Sequence, residues 1–431
     1  MTRTFRSFQI SDFDTTKKQT LHWANQYSVC CFLDNNHYAI PPQSKECLVG
    51  VGDAASYGLQ TGACLEGLES FLREKDDWYF GHLAYDLKRE TGGEPSPHQG
   101  RIGFPDLYFF MPETVVILSP GFMQIGAIHQ DPVHVYEQIV HMQTGYPPET
   151  PVVPEIRQRL RREDYLETLA RLKDHIRRGD CYEINFCQEF FAEDATIEPL
   201  TVYERLTRLS PNPFSAFYKL ENRYLLCASP ERYLKKTGNR IISQPIKGTA
   251  QRDMSDPVRD QALREALFAS VKERAENVMV VDLVRNDLSR VCREGTVVVD
   301  ELFGMYSYPQ VHQMISTVSG ELQEETGFAD IIRATFPMGS MTGAPKKRVM
   351  ELIDRYERSR RGLFSGAVGY LDPAGDADFN VVIRSILYDN AARYLSFPAG
   401  SAVTHYSDPL QEYAECALKG DAIRRVLSDN I

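Results

Sequence analysis

The sequence predicts an α+β fold, and three features of its patterning predict it. Short runs of β-branched and aromatic residues recur along the chain. Helix-period stripes lie among them. The two do not alternate as a regular β-α-β repeat, so antiparallel strands mixed with helices are expected. A length of 431 residues suits one large domain or two unequal ones.

Residues 28–33, 78–83 and 107–117 read as strands, with helical stretches between them. The polar stretch 90–100, with Gly92, Gly93, Pro95 and Pro97, reads as a surface loop. A seam follows, where Pro147, Pro148, Pro151 and Pro154 rule out a continuing helix or a central strand. It divides the chain into an N-terminal α+β region, residues 1–150, and a larger region, residues 151–431.

After the seam, Tyr165, Leu169, Leu172 and Ile176 form one stripe of a helix over 163–178, which Gly179 ends. Strands are expected at 182–191, 214–220, 224–228 and 240–244. One long helix is expected from Pro257 to about Leu288, with Asp256 as N-cap and proline at its first position. Strands return at 296–300, 315–321, 366–371, 379–387 and 394–397. A last helix runs from Pro409 to about Val426.

Composition excludes several functions. No apolar run is long enough to span a membrane, and the first residues lack the apolar stretch of a signal peptide, so a cytoplasmic protein is expected. Nine scattered cysteines form no C-x-x-C pair and read as reduced, buried thiols. A net charge of −11 argues against nucleic acid. An anionic substrate would then need a local cation.

One source of that cation is suggested by helix geometry. Glu273 and Glu276 are three apart, as are Glu412 and Glu415, so each pair shares a helix face. Such pairs are either solvated surface or, facing one another across a cleft, an all-oxygen site suited to magnesium. Lys419, four residues after Glu415, is either its ion-pair partner or an anion-binding cation.

Other candidates are weaker singly. The small residues of 336–346, including Thr342 and Gly343, lead into a helix and form either an ordinary turn or a set of backbone donors for an anion. Gly400, in Ala399-Gly400-Ser401-Ala402, is a second backbone-donor candidate. Arg384 either reaches to solvent or pairs a carboxylate. Lys247, between Pro-Ile and Gly-Thr, is either a surface lysine or one held rigidly enough to act as a nucleophile. Glu231 reads as a salt-bridged glutamate, and His312 and His405 as structural histidines or general bases. Gly62-Ala63-Cys64-Leu65-Glu66-Gly67 is only superficially a nucleophile elbow, and Cys64 reads as structural.

Taken in order, these motifs resemble one family. They are Tyr182-Glu183-Ile184-Asn185-Phe186, Ala228-Ser229-Pro230-Glu231-Arg232, Pro245-Ile246-Lys247-Gly248-Thr249, Glu273-Arg274-Ala275-Glu276, residues 281–288, residues 339–346, Asp378-Phe379-Asn380, and Asp408-Pro409 through Glu415. From about Glu163 to Lys419 the chain resembles the chorismate-utilising enzymes, which include anthranilate synthase component I, aminodeoxychorismate synthase component I, isochorismate synthase and salicylate synthase. Residues 1–150 match loosely, mainly at 81–86.

The resemblance implies two stacked antiparallel β-sheets surrounded by helices, with chorismate in the cleft. It implies Mg2+ at Glu276 and Glu415, with Glu273 and Glu412 holding water or supporting the ligands. It implies that Arg384, Tyr370, Lys419, Gly400, Thr342 and Gly343 hold the substrate carboxylates. Pro-Ile-Lys-Gly-Thr is similar to the aminodeoxychorismate synthases, whose lysine, here Lys247, attacks C2 while the glutamate at Glu231 protonates the leaving C4 hydroxyl. Ammonia then gives 4-amino-4-deoxychorismate, on the route to para-aminobenzoate and folate. The resemblance also implies a separate glutamine amidotransferase subunit and a downstream aminodeoxychorismate lyase.

Two departures stand out. Val311-His312-Gln313-Met314 has Gln313 where the family pattern has histidine, which bears on pyruvate elimination. Tyr182-Glu183 replaces the usual Tyr-Gln. The competing readings are an anthranilate synthase component I and a non-catalytic regulator that binds chorismate or an amino acid.

Overall fold

The computed structural model describes residues 2–38, 42, 45–59, 62–145 and 153–428. Most of the proline seam, Tyr146 to Val152, lies outside the described residues. Two antiparallel sheets carry the architecture, of twelve and ten strands among the described residues. In the first, Val29–Asp34 joins the N-terminal strands to Phe214–Leu220, and the order continues through Arg223–Ser229, Ser385–Asp389, Tyr394–Thr404 and Glu183–Ala192 to the short strand Gly343–Ala344. The second runs from Ile246–Gln251 through Val311–Glu321, Arg240–Gln244, Arg232–Thr237, Ala377–Asn380 and Ala367–Leu371. It ends on Tyr79–Leu83, Leu107–Met111 and Ala55–Leu59. Strands from both sides of the seam therefore share each sheet.

The central strands are buried on both faces, and their alternation divides two cores. In Arg223–Ser229, Leu225 and Cys227 face the core between the sheets, while Leu226 and Ala228 face the helices outside. The outer helices include Phe13–Ala24, Pro132–Val140, Arg162–Arg177, Pro199–Leu209, Lys346–Tyr356 and Pro409–Leu427. Gly50 shows how closely the sheets approach, because a Cβ there would stand 2.6 Å from the Phe80 ring. Phe80 is fully buried, so truncating it would cost about 3–5 kcal/mol. All nine cysteines are buried and unpaired with one another, as expected. No helix among the described residues is long and apolar enough to cross a membrane.

Three expected elements are each divided in two. The helix expected from Pro257 to Leu288 is two helices, Pro257–Ala269 and Val271–Ser289. Ser270 leaves the helical region at φ −64° and ψ 113°, and its hydroxyl accepts from the Glu273 N–H at 3.3 Å. The strand expected over 379–387 is also two, Ala377–Asn380 in the second sheet and Ser385–Asp389 in the first. Between them the chain crosses from one sheet to the other, and Arg384 takes φ +50°. The run 107–117 likewise divides at Pro112, which has no N–H for a ladder, into strands of different sheets. In contrast, the short strand at 394–397 extends as Tyr394–Thr404.

Candidate active site

The chain also crosses between sheets at Ser229-Pro230-Glu231, from Arg223–Ser229 to Arg232–Thr237. The two crossovers are tied together. Val381 N–H donates to the Glu231 carbonyl at 3.0 Å, and Ala228 N–H to the Arg384 carbonyl at 3.3 Å. Glu231 and Arg384 thus sit at one junction. Among the described residues the Arg384 guanidinium makes no hydrogen bond or ion pair, leaving a two-pronged donor for an anion.

Lys247 reaches this junction from the edge of the second sheet. Ile246 pairs with Ile315 and Thr249 with Gln313, so Lys247 and Gly248 stand opposite Met314 alone. The extra residue is a β-bulge, and Gly248 supplies its positive φ of +93°. A bulge re-aims a side chain out of the regular pleat. Here Lys247 Nζ donates to Glu183 Oε1 at 2.6 Å. Glu183 begins Glu183–Ala192 in the first sheet, so this ion pair bridges the sheets.

Electrostatics divide the junction into unlike groups. Burial pushes the Glu231 carboxyl up to about 7, with Ser340, Lys247 and Arg384 opposing. Burial also raises Glu276, to about 8, against the pull of Lys247. Burial works against the charge of Lys247, but Glu183, Glu276 and Glu231 outweigh it and hold the ammonium above the usual lysine range.

The two glutamate pairs do face one another, with Lys272 between them. Its Nζ lies 3.1 Å from Glu412 Oε1 and 3.9 Å from Glu276 Oε1. Glu276 Oε1 and Glu412 Oε2 are buried without a hydrogen-bond partner among the described residues. Glu273 is raised by burial, and its Oε2 would lie 3.3 Å from a Cβ at Gly248. Glu415 is half-exposed and pairs Lys419 at 2.8 Å. Burial opposes its charge, but that lysine keeps it below the usual carboxylate value. No three acidic, histidine or cysteine side chains among the described residues converge as a complete ligand set. Orphaned carboxylate oxygens converging on one ammonium do fit a hard cation that keeps waters and shares a ligand with its substrate.

The remaining candidates divide. Gly343 and Gly400 are needed for close backbone approach: a Cβ would stand 2.1 Å from the Glu183 carbonyl oxygen in one case and 2.2 Å from that of Phe186 in the other. Gly400 lies inside a strand opposite Cys187, and its carbonyl accepts from Lys419 Nζ at 3.0 Å. Thr342 is buried and donates to the Met338 carbonyl at 3.1 Å. Tyr370 packs against Trp78 and Phe80, with Asp378 and Arg232 as charged neighbours, which groups it with that buried pair rather than with Lys247. His312 is held between Ser307 and Asp260. Cys64 opens a helix whose first N–H groups already bond Glu90.

Lys272 and the partner role of Glu183 were not foreseen. Lys272 had a sequence signal, its i, i+4 spacing to Glu276. The Lys247–Glu183 contact spans 64 positions and two sheets, and has none.

A buried lysine, a high-pKa glutamate and an unpaired arginine at the junction of two sheets define an enzyme-like site for an anion. A family model described as chorismate binding enzyme matches residues 44–425, and the chain belongs to that family. It is 34% identical over 348 residues to aminodeoxychorismate synthase component 1 of Escherichia coli strain K12, a match covering 80% of this chain and 75% of that protein. It is 31% identical over 457 residues to anthranilate synthase component 1 of Thermus thermophilus, covering 99% and 98%. With the aminodeoxychorismate synthase of Streptomyces griseus it shares 42% identity over 268 residues, covering 62% of this chain but 36% of that protein. Anthranilate synthase component I from Streptococcus pneumoniae TIGR4 has the same fold, with a TM-score of 0.77 at 23% identity over 90% of this chain and 93% of that one. The isochorismate synthase MenF from Escherichia coli matches equally, at 0.77 and 17% identity, over 99% and 95%.

Proposed function

We propose that the chain acts on chorismate as an aminodeoxychorismate synthase component I, joining it to ammonia to give 4-amino-4-deoxychorismate. The observation that carries this reading is the bulge that turns Lys247 toward the junction holding Glu231 and Arg384. Arg384 pairs a substrate carboxylate. Glu231, neutral up to about pH 7, hands a proton to the departing C4 hydroxyl. Lys247 attacks C2 as that hydroxyl leaves. Ammonia then adds at C4 and expels the lysine, whose covalent stage splits one difficult displacement into two.

Glu276, Glu412, Glu273 and Glu415 would hold a magnesium ion beside the substrate. When bound, the ion supplies positive charge that offsets the substrate's carboxylates. Relatives named as component 1 support a separate subunit that supplies ammonia, which we take to be a glutamine amidotransferase. A lyase would then consume the aminated product. A cytoplasmic setting suits both.

The second reading is an anthranilate synthase component I, favoured by the Thermus thermophilus relative matching nearly end to end. Incubation with chorismate, magnesium and ammonia separates the two. Aminodeoxychorismate, with turnover abolished in Lys247→Ala, is the expected result. Fluorescent anthranilate without any added lyase would replace the first reading by the second.

A further inference from the structure

An amine attacks only as its neutral form, yet three carboxylates favour the ammonium of Lys247. We propose that Glu183 is a catalytic residue that takes the proton from Lys247 before the lysine attacks chorismate. The inference rests on the reading of Lys247 as nucleophile.

Geometry carries it. Glu183 Oε1 is 2.6 Å from Lys247 Nζ, and no other carboxylate pairs that nitrogen within 4.0 Å among the described residues. Glu183 is 1% exposed, and its Oε2 has no partner among the described residues. Both ends are fixed by backbone. Glu183 is paired on one side with Ala344 and on the other with Thr404, and Lys247 sits in its bulge. The other charged groups around Lys247 have different duties. Glu231 is the proposed acid for the leaving hydroxyl and has Arg384 as a charged neighbour, and Glu276 faces Lys272 where the metal is proposed.

A buried ion pair persists only while its attraction offsets its desolvation. Once substrate excludes water, moving one proton across this short hydrogen bond removes both charges. A glutamine at this position could orient the lysine but accept no proton.

The steps balance. The Lys247 ammonium gives a proton to Glu183, leaving an amine and a carboxylic acid. The amine forms the N–C2 bond as the C4–O bond breaks, and the hydroxyl leaves as water with the Glu231 proton. Ammonia forms the C4–N bond as N–C2 breaks, returning neutral Lys247. Glu183 reprotonates the lysine, and the new C4 ammonium returns a proton to Glu231.

The test uses the full chain with magnesium and chorismate but no ammonia, following the mass gain on Lys247 against time and pH. Glu183→Gln is expected to slow adduct formation at least tenfold at pH 7, with the deficit closing as pH rises and chorismate binding unchanged. Glu183→Asp, which keeps an acceptor, is expected to retain the wild-type pH profile, and it decides the matter if the glutamine variant does not fold. Wild-type rates in Glu183→Gln, a deficit equal at every pH, or a shifted profile in Glu183→Asp would overturn the inference. Absence of any adduct in the wild type would instead overturn the lysine reading itself.

Discussion

Val381 donates its N–H to the carbonyl of Glu231 at 3.0 Å, and this bond joins two places where the chain passes from one sheet to the other. Together with the bond from Ala228 N–H to the Arg384 carbonyl at 3.3 Å, it positions the acid and the substrate arginine of the proposed reaction. Each can be tested separately.

Arg384 makes no ion pair within the chain among the described residues, so its loss should spare stability. Alanine would occupy the same φ of +50° at similar strain. Charge-assisted hydrogen bonds are worth about 1.5–3 kcal/mol, so Arg384→Ala should weaken chorismate binding about ten- to a hundredfold. Titration calorimetry beside a denaturation curve checks both halves.

Glu231 gives a pH signature with a definite sign. Its folded value of about 7 lies above the ordinary 4.5. The neutral acid is favoured by folding, so its contribution is whole below about pH 4.5 and is lost as pH rises to 7. Glu231→Gln should therefore be more stable than wild type at pH 8, by about 2–3 kcal/mol, and no more stable at pH 4. Wild-type kcat should fall above pH 7 as the acid ionises, and the glutamine variant should lose about a hundredfold or more. Urea denaturation and rate profiles over pH 4–9 measure these effects.

Ser270 separates two helices that the sequence pattern joins. Its hydroxyl caps the helix that carries Glu273 and Glu276. Ser270→Ala should cost about 1 kcal/mol of stability, measured by urea denaturation.

Lys272 stands between Glu276 and Glu412, where a cation would be welcome. Lys272→Gln should tighten magnesium binding without substrate by several-fold, since it removes an ammonium that competes with the cation for two buried carboxylates. Calorimetric titration with magnesium chloride is the measurement, and weaker binding in the variant would contradict the opposed-glutamate site.

The sequence made the α+β class and the last helix legible, because each rests on local periodicity or caps, whereas i, i+3 spacing left open whether the two glutamate pairs face one another or solvent. The crossovers were not legible. At 379–387 strand-forming residues lie on both sides of a sheet change, and no glycine or proline marks the turn at Arg384. Ser270 was equally hidden, since serine is tolerated within a helix and caps one only when the chain bends there. Gln313 stands where the resemblance expects a histidine, but its burial, with both ends of the amide unpartnered among the described residues, depends on neighbours far away in sequence.

The shared sheets also set a timetable for synthesis. Val29–Asp34 finds one of its neighbours only at Phe214–Leu220, and Tyr79–Leu83 finds one only at Ala367–Leu371. At about 5–20 residues per second, the first strand waits on the order of ten to forty seconds on the ribosome with one edge unsatisfied. An apolar strand held open that long is a target for chaperones and for other nascent chains.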